Sequence, residues 1–136
     1  MEVKRVKKLS LLLLIGFFIF AGMNHFIDPE FYYSLIPPYL EYLHVINVLS
    51  GVLEIMFGVG LVFESTRKYS AYFIVIMLTA FIPSHVYFIQ LGGCIPDGLC
   101  APPWVGWIRL LLIHPLMMLW VWFHRSTQVS MSLITS

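Results

Sequence analysis

Long apolar stretches of the sequence contain ionisable side chains, and among them are His25, Glu54, His85 and Arg109. A charged group at the centre of a bilayer costs ~2.5 kcal/mol or more, so such groups normally face a bundle interior, find a partner or stay uncharged. An arginine there offers a planar set of donors to a carboxylate, a quinone oxygen or an oxyanion, and a histidine exchanges protons near neutral pH. The carboxyl group of Glu54 is either a proton acceptor or the counter-ion of Arg109. The alternative is a buried ion pair with hydrogen-bonded histidines that only fixes the register of the helices.

The composition indicates a membrane protein. Of the 136 residues, 60% are hydrophobic and 11% are charged, whereas soluble domains average about 25% charged residues. The length suits one bundle of about four spans with short loops, so residues 1–136 are predicted to form a single domain. No basic tract of the kind that binds nucleic acid is present in the sequence. The predicted fold is all-α, a bundle of four transmembrane helices.

The apolar stretches predict transmembrane helices over residues 9–26, 39–63, 69–91 and 104–124. A signal peptide would also begin with a basic segment such as the one that carries Lys4, Arg5, Lys7 and Lys8. The first apolar stretch is longer than a typical signal-peptide core and bulky residues flank its end, so an uncleaved first helix is favoured. Pro83 lies within the third span, and because proline lacks an N–H, the helix should bend just below His85.

A short segment between the first two spans is rich in proline and aromatic residues. Asp28-Pro29 and Pro37-Pro38 break helices, so one helix should end near residue 26 and the next begin near residue 38 or 39. The rings at residues 31–33 (Phe-Tyr-Tyr) suit the boundary between headgroups and hydrocarbon. We therefore expect a short interfacial segment between helices 1 and 2.

The distribution of positive charge predicts the orientation in the membrane. Of the eight Lys and Arg residues, seven lie in the N-terminal segment, in a polar turn at residues 64–68 or near the C-terminal end. The other two loops contain no Lys or Arg but carry four acids: Asp28, Glu30, Glu41 and Asp97. By the positive-inside rule, both termini are cytoplasmic and the cysteine loop is extracytoplasmic, in an inner or plasma membrane.

Depth and helical phase gather several polar residues in the outer half of the predicted bundle. At a rise of about 1.5 Å per residue, His25 and His85 both lie roughly 24 Å beyond the cytoplasmic start of their spans. Asn47 and Glu54 are seven residues apart and share one stripe of the second helix. The predicted polar site combines Asn24, His25, Glu54, His85 and Arg109.

The fourth span contains a further histidine, His114, five residues after Arg109. At 100° per residue, the two side chains lie about 140° apart around an α-helix. Even with local distortion at Pro115, His114 is therefore left out of the predicted site.

The two cysteines enclose a short loop that is predicted to face an oxidising compartment. A disulfide between Cys94 and Cys100 would stabilise the fold by about 2 kcal/mol, and this structural role is favoured. Thiol exchange with a partner protein is the alternative, although the spacing is not C-x-x-C. The histidines are scattered over the helices without the spacing of metal ligands, so no metal site is predicted.

Several short motifs together resemble the DoxX family of small four-helix membrane proteins. The resemblance covers Leu9–Phe123 and depends on five segments: Gly22–Pro29 (GMNHFIDP), Ile36–Leu40 (IPPYL), Ser50–Glu54 (SGVLE), Pro83–His85 (PSH) and Trp107–Leu110 (WIRL). The family takes its name from membrane subunits associated with thiosulfate:quinone oxidoreductase. Relatives are linked to methylamine utilisation, to thiol-redox complexes and, in animals, to assembly of nicotinic receptors.

The resemblance extends the predicted site and implies a function. The family's pattern falls on Asn24, His25, Pro37, Ser50, Gly51, Glu54, His85 and Arg109. The predicted catalytic residues are Glu54, His85 and Arg109, and the predicted ligand-binding residues are Asn24, His25, Asn47 and Ser50. We expect a subunit of a membrane oxidoreductase system whose buried polar site binds a quinone or another small anionic or redox-active ligand.

The rival prediction is a non-catalytic assembly factor or scaffold whose buried polar cluster is structural. A small-solute transporter fits least well, because four short helices without an inverted repeat lack the usual transporter architecture. Quinone is the only cofactor that the sequence suggests. The expected partners are the lipid bilayer and either partner proteins or a second copy of the chain, and not nucleic acid.

Overall fold

The computed structural model of the chain describes residues 2–96 and 98–128. Regular structure in these residues is helical, apart from one isolated antiparallel bridge between Cys94 and Cys100. Asp97, which was counted among the acids of the loops, and the C-terminal residues 129–136 lie outside the described part. The predicted single domain is therefore described over these ranges only.

Seven α-helices and one π-helical turn follow one another in the described residues: α1 (Glu2–Ile27), α2 (Pro29–Tyr33), α3 (Leu43–Gly60), α4 (Glu64–Ala80), α5 (Ile82–Gln90), α6 (Pro103–Ile108), the π turn (Arg109–Ile113) and α7 (His114–His124). α4 and α5 together form one long segment, and α6, the π turn and α7 form another. With α1 and α3, they make four helical segments that are long and apolar enough to cross a membrane. Over residues 2–96 and 98–128, the prediction of an all-α fold with four such segments is confirmed.

The bounds of the first two segments differ from those predicted. α1 begins at Glu2, so the basic N-terminal residues belong to the helix itself. α3 spans Leu43–Gly60 instead of residues 39–63. α3 begins later than predicted because residues 37–40 form a turn. In this turn the N–H of Leu40 donates to the carbonyl of Pro37 (3.0 Å), and Pro37 is buried.

The polar residues 64–68 form the first turn of α4 instead of the loop that was predicted. The chain reverses earlier, at residues 61–63. Arg67 explains this shift, because its buried guanidinium donates from Nε to the carbonyl of Leu61 (2.7 Å) and from Nη2 to that of Val62 (2.9 Å). Carbonyls at the end of a helix lack partners within the helix, so these bonds complete the end of α3 and fix the start of α4.

The third apolar segment is interrupted near Pro83. α4 ends at Ala80, Phe81 lies between the helices, and α5 begins at Ile82. Proline is tolerated in the first turn of a helix because no N–H partner is needed there. The break separates α4, which packs on α7, from α5, which packs on α6 and the π turn and carries His85.

The apolar core fills the end of the bundle where α1 begins. Its buried side chains come from α1, α4, α7 and the residue after α3, and include Leu11, Leu14, Phe18, Leu61, Ile74 and Val121. A second, smaller cluster of Leu35, Phe88 and Ile95 lies at the opposite end, next to the cysteine loop. The predicted polar residues lie between these two clusters.

Candidate functional site

Two glycines let α1 and α3 approach closely. A Cβ atom at Gly22 would lie 2.7 Å from the carbonyl oxygen of Gly51, and one at Gly51 would lie 2.9 Å from that of Gly22. No larger side chain fits at these distances without a shift of the helices. This close approach brings His25, one turn after Gly22, next to Asn47, one turn before Gly51.

The side chains of His25 and Asn47 form two hydrogen bonds between α1 and α3. His25 Nδ1 and Asn47 Oδ1 are 2.7 Å apart, and Asn47 Nδ2 donates to the backbone carbonyl of His25 (2.9 Å). Because the amide nitrogen is already the donor, Oδ1 accepts and Nδ1 carries the proton. Both residues are buried. The other ring nitrogen of His25 is left to face Glu54.

The carboxyl group of Glu54 is 6% exposed and faces His25 instead of Arg109. Its Oε2 lies 3.5 Å from His25 Nε2, which is longer than an ordinary hydrogen bond. Among the described residues, Oε2 has no hydrogen-bond partner, and no ion pair joins Glu54 to Arg109. The predicted acid and base therefore do not pair directly.

Tyr32 of α2 covers the imidazole of His25. The two rings are stacked, with centroids 3.6 Å apart and an angle of 24° between their planes. Asn24 Nδ2 donates to the hydroxyl oxygen of Tyr32 (3.1 Å). The side chain of Asp28 caps the start of α2, where it accepts a hydrogen bond from the N–H of Phe31 (3.4 Å).

The phenol of Tyr32 lies within electrostatic reach of both Glu54 and Arg109. Burial raises the pKa of Tyr32, so its hydroxyl keeps the proton at neutral pH and can act as a donor. The sequence suggested a ring at the headgroup boundary. In the structure, the ring is partly buried against His25 and lies near both Glu54 and Arg109, which do not pair with each other.

The π turn changes the direction of a histidine in the fourth segment. The N–H of His114 donates to the carbonyl of Arg109, five residues earlier, which defines a π-helical turn. Pro115 lacks an N–H, so the carbonyl of Leu111 has no α-helical partner, and this favours the wider turn. Residues five apart lie on nearly the same side of such a turn. The predicted angle of about 140° between Arg109 and His114 is therefore wrong, because it assumed a continuous α-helix.

His85 and His114 face each other across the third and fourth segments. Their ring centroids are 4.6 Å apart at an angle of 67°, and His114 Nε2 donates to the carbonyl of Leu78 (2.8 Å). Arg109 is close enough for its charge to act on both imidazoles. Within residues 2–96 and 98–128, no group of three or more His, Cys, Asp and Glu side chains is arranged to hold a metal ion.

These polar groups line a cavity of about 420 Å³. All four segments and α2 contribute its polar lining, which consists of His25, Tyr32, Asn47, Ser50, Glu54, Ser84, His85, Arg109 and His114. Its apolar walls include Phe17, Phe18, Leu35, Phe88 and Met117. A largely apolar cavity with a few convergent polar groups is typical of sites for small organic ligands.

Most of the residues that were predicted to form a site border this cavity. The lining includes Glu54, Arg109, His85, His25, Asn47 and Ser50. Asn24 does not line the cavity but holds the hydroxyl of Tyr32. The catalytic and ligand-binding roles of these seven residues stay predictions.

Tyr32 and His114 were missed by the sequence reasoning. The position of Pro115 could have indicated the π turn that brings His114 to the cavity. Asp28 followed by Pro29 is the ordinary start of a helix, and could have indicated that α2 is folded onto the bundle.

The predicted cysteine pair is confirmed, since a disulfide joins Cys94 and Cys100. Gly92 and Gly93 leave α5 with φ angles of 71° and 83°, which favour glycine. The N–H of Ala101 donates to the carbonyl of Gly93 (2.9 Å), so the two ends of the loop are tied together. Both cysteines are exposed, and their role as a structural bond or an exchanging pair stays a prediction.

Comparison with known proteins gives a family but no activity. A model of the family described as Domain of unknown function (DUF8561) matches residues 14–125, which include every residue that lines the cavity. No curated protein and no solved structure matches the chain. The resemblance to the DoxX family stays a prediction, and function is inferred from the cavity.

Proposed function

We propose that this chain, which belongs to the family described as Domain of unknown function (DUF8561), is a multi-pass membrane protein whose central cavity binds a quinone or a similar small redox-active ligand. It acts as one subunit of a membrane oxidoreductase system of the DoxX type. The observation that carries this proposal is the guanidinium of Arg109, which borders the cavity and has no ion-pair partner among the described residues.

The charge pattern supports insertion with both termini in the cytoplasm. The starts of α1 and α4 and the end of α7 carry the cations, while the opposite loops are acidic and contain the disulfide. Arg67 is buried and donates hydrogen bonds to the carbonyls that follow α3, so it does not face the cytoplasm. The other cations at the end of the bundle with the two termini still satisfy the positive-inside rule. The cavity then lies between the bilayer centre and the extracytoplasmic side.

The residues around the cavity fit a carbonyl ligand. Arg109 would donate hydrogen bonds to a carbonyl oxygen and stabilise negative charge on it during reduction. Reduction of a quinone to a quinol takes up two electrons and two protons. His85 and the His25–Glu54 pair can hold protons close to the cavity. Electrons would come from a partner subunit.

The buried oxygen of Glu54 also suits a ligand. Oε2 lacks a hydrogen-bond partner among the described residues, and burying such an atom costs free energy unless a partner completes it. A hydroxyl group of a quinol would donate the missing hydrogen bond to Oε2. The apolar walls suit the ring and the first part of an isoprenoid tail.

The alternative of a scaffold or assembly factor is favoured by one observation. His25, Asn47 and Glu54 are buried and join α1 to α3, as a purely structural cluster would. This reading explains the α1–α3 contact but leaves Arg109 without a role.

Binding of a decyl-substituted ubiquinone to the purified protein in lipid nanodiscs separates the two functions. Arg109→Gln should weaken binding about tenfold or more, because a hydrogen bond from a charged donor contributes about 1.5–3 kcal/mol. The control Lys68→Gln removes an exposed cation far from the cavity and should leave binding unchanged. Quenching of the intrinsic tryptophan fluorescence gives the dissociation constant.

Glu54→Gln with the matched control Glu64→Gln extends the test. Glu64 is exposed at the start of α4, so the same chemical change there should have no effect. Weaker quinone binding in Glu54→Gln, with normal folding, supports the redox site. If the wild type does not bind quinone and Glu54→Gln instead loses a co-purifying protein, the scaffold function is supported and the quinone site is refuted.

A further inference from the structure

A second and more open cavity lies at the opposite end of the molecule, where the start of α1 meets the end of α7. We call this cavity the groove. Its volume is about 930 Å³. Lys4 and Lys7 of α1 and Arg125 after α7 contribute three positive charges to its lining. None of the described residues that line it is acidic. It shares no lining residue with the central cavity.

Aromatic rings hold two of the three cations in place. The guanidinium carbon of Arg125 lies 4.2 Å from the ring centroid of Trp122, and Arg125 Nη1 donates to the carbonyl of Trp122 (2.9 Å). Lys7 Nζ lies 5.6 Å from the ring centroid of Phe123. Such cation–π contacts orient the charges without neutralising them. The groove therefore presents a prearranged cationic surface.

The apolar part of the lining continues along α7. Leu116 and Leu119 are 53% and 61% exposed, and Leu116 lies nine residues before Arg125, about 13 Å along the helix. A ligand that follows this surface meets cations at one end and aliphatic side chains at the other. This arrangement matches an amphiphile with an anionic head and a hydrocarbon chain.

We propose that this groove binds one anionic phospholipid, such as phosphatidylglycerol, from the leaflet that faces the two termini. Lys4, Lys7 and Arg125 contact the phosphate, and an acyl chain lies along Leu116 and Leu119. Trp122 and Phe123 lie at the depth where aromatic side chains favour the membrane interface. Charge complementarity favours this lipid over a zwitterionic one, because each lipid-facing cation adds to the attraction for an anionic headgroup.

The test compares retention of phosphatidylglycerol and phosphatidylcholine by native mass spectrometry, with the full chain purified from mixed vesicles of the two lipids. The wild type should retain phosphatidylglycerol preferentially. Lys7→Gln with Arg125→Gln should reduce this preference about 25-fold, at about fivefold for each cation. The control pair Lys8→Gln with Lys68→Gln removes the same charge at the same end, outside the groove, and should keep the preference.

Equal losses in both double variants would overturn the proposal, because general surface charge would then account for the preference. The absence of a preference in the wild type would also overturn it, because no site selective for an anionic headgroup would then exist. The charge-conserving pair Lys7→Arg with Arg125→Lys should retain the preference, which separates loss of charge from loss of fold. Displacement of phosphatidylglycerol by millimolar inorganic phosphate would identify a phosphate site instead of a lipid site and would also overturn it. None of these measurements depends on quinone binding at the central cavity.

Discussion

Replacement of Arg67 tests the structure at a position where the sequence suggested only a surface charge. The guanidinium is 1% exposed and donates to three backbone carbonyls: those of Leu61, Val62 and Thr127. A hydrogen bond from a charged donor contributes about 1.5–3 kcal/mol. Three such bonds give about 5–9 kcal/mol at most. Water can reach carbonyls near the end of the bundle, so we expect Arg67→Ala to cost about 3–5 kcal/mol.

The neighbouring Lys68 gives a matched control, because it is exposed on the same turn of α4. Lys68→Ala should change the free energy of unfolding by less than about 0.5 kcal/mol. Arg67→Lys keeps the charge but loses the planar arrangement of donors, so it should cost about 2 kcal/mol or more. Reversible unfolding in mixed micelles with increasing denaturing detergent measures these differences. Equal stability of Arg67→Ala and Lys68→Ala would refute the conclusion that the hydrogen bonds of Arg67 hold α4 to the end of α3 and to the segment after α7.

Three further predictions follow from the contacts around the site and the loop. Gly51→Leu should abolish the close contact of α1 with α3 and lower the unfolding temperature strongly, because the new Cβ atom would lie 2.9 Å from the carbonyl oxygen of Gly22. Gly16→Leu is the control, because nothing lies within 4 Å of a Cβ atom added there. Tyr32→Phe should cost about 0.5–1.5 kcal/mol by loss of the bond from Asn24. Burial raises the pKa of Tyr32, so its hydroxyl stays protonated in the folded protein up to about pH 10. The difference in free energy of unfolding between Tyr32→Phe and the wild type should therefore stay constant up to about pH 10, and unfolding in micelles at several pH values measures it. Cys94→Ser with Cys100→Ser should cost about 2 kcal/mol, and a reducing agent should lower the wild-type melting temperature to that of the variant and leave the variant unchanged.

The four long helices were predictable because their signal is long and redundant. Each apolar stretch exceeds the length of an ordinary buried helix, and prolines or polar residues separate them. The boundaries were less predictable. The start of α4 depends on a side chain, Arg67, that reaches back to carbonyls before the helix. Hydropathy contains no information on such a bond.

The membership of the site was partly predictable from helical phase. Glu54 and Asn47 lie on the stripe where the sequence placed them, since α3 is a regular α-helix. His114 was misplaced because the π turn breaks the 100° period after Arg109. Depth along the helices could not show whether His25 or Arg109 faces Glu54. In the structure His25 faces it, because α1 and α3 approach closely at Gly22.

Photolabelling tests the central claim most directly. A photoreactive quinone, bound to the protein in nanodiscs and then irradiated, should label residues of the cavity wall on α5 or next to Arg109, and excess decyl-substituted ubiquinone should suppress the labelling. Arg109→Gln should reduce it strongly, whereas Lys68→Gln should not. Labels that lie only at exposed apolar positions outside the cavity, such as Leu13 and Ile76, and that persist in the presence of the competitor, would contradict a quinone site in the cavity.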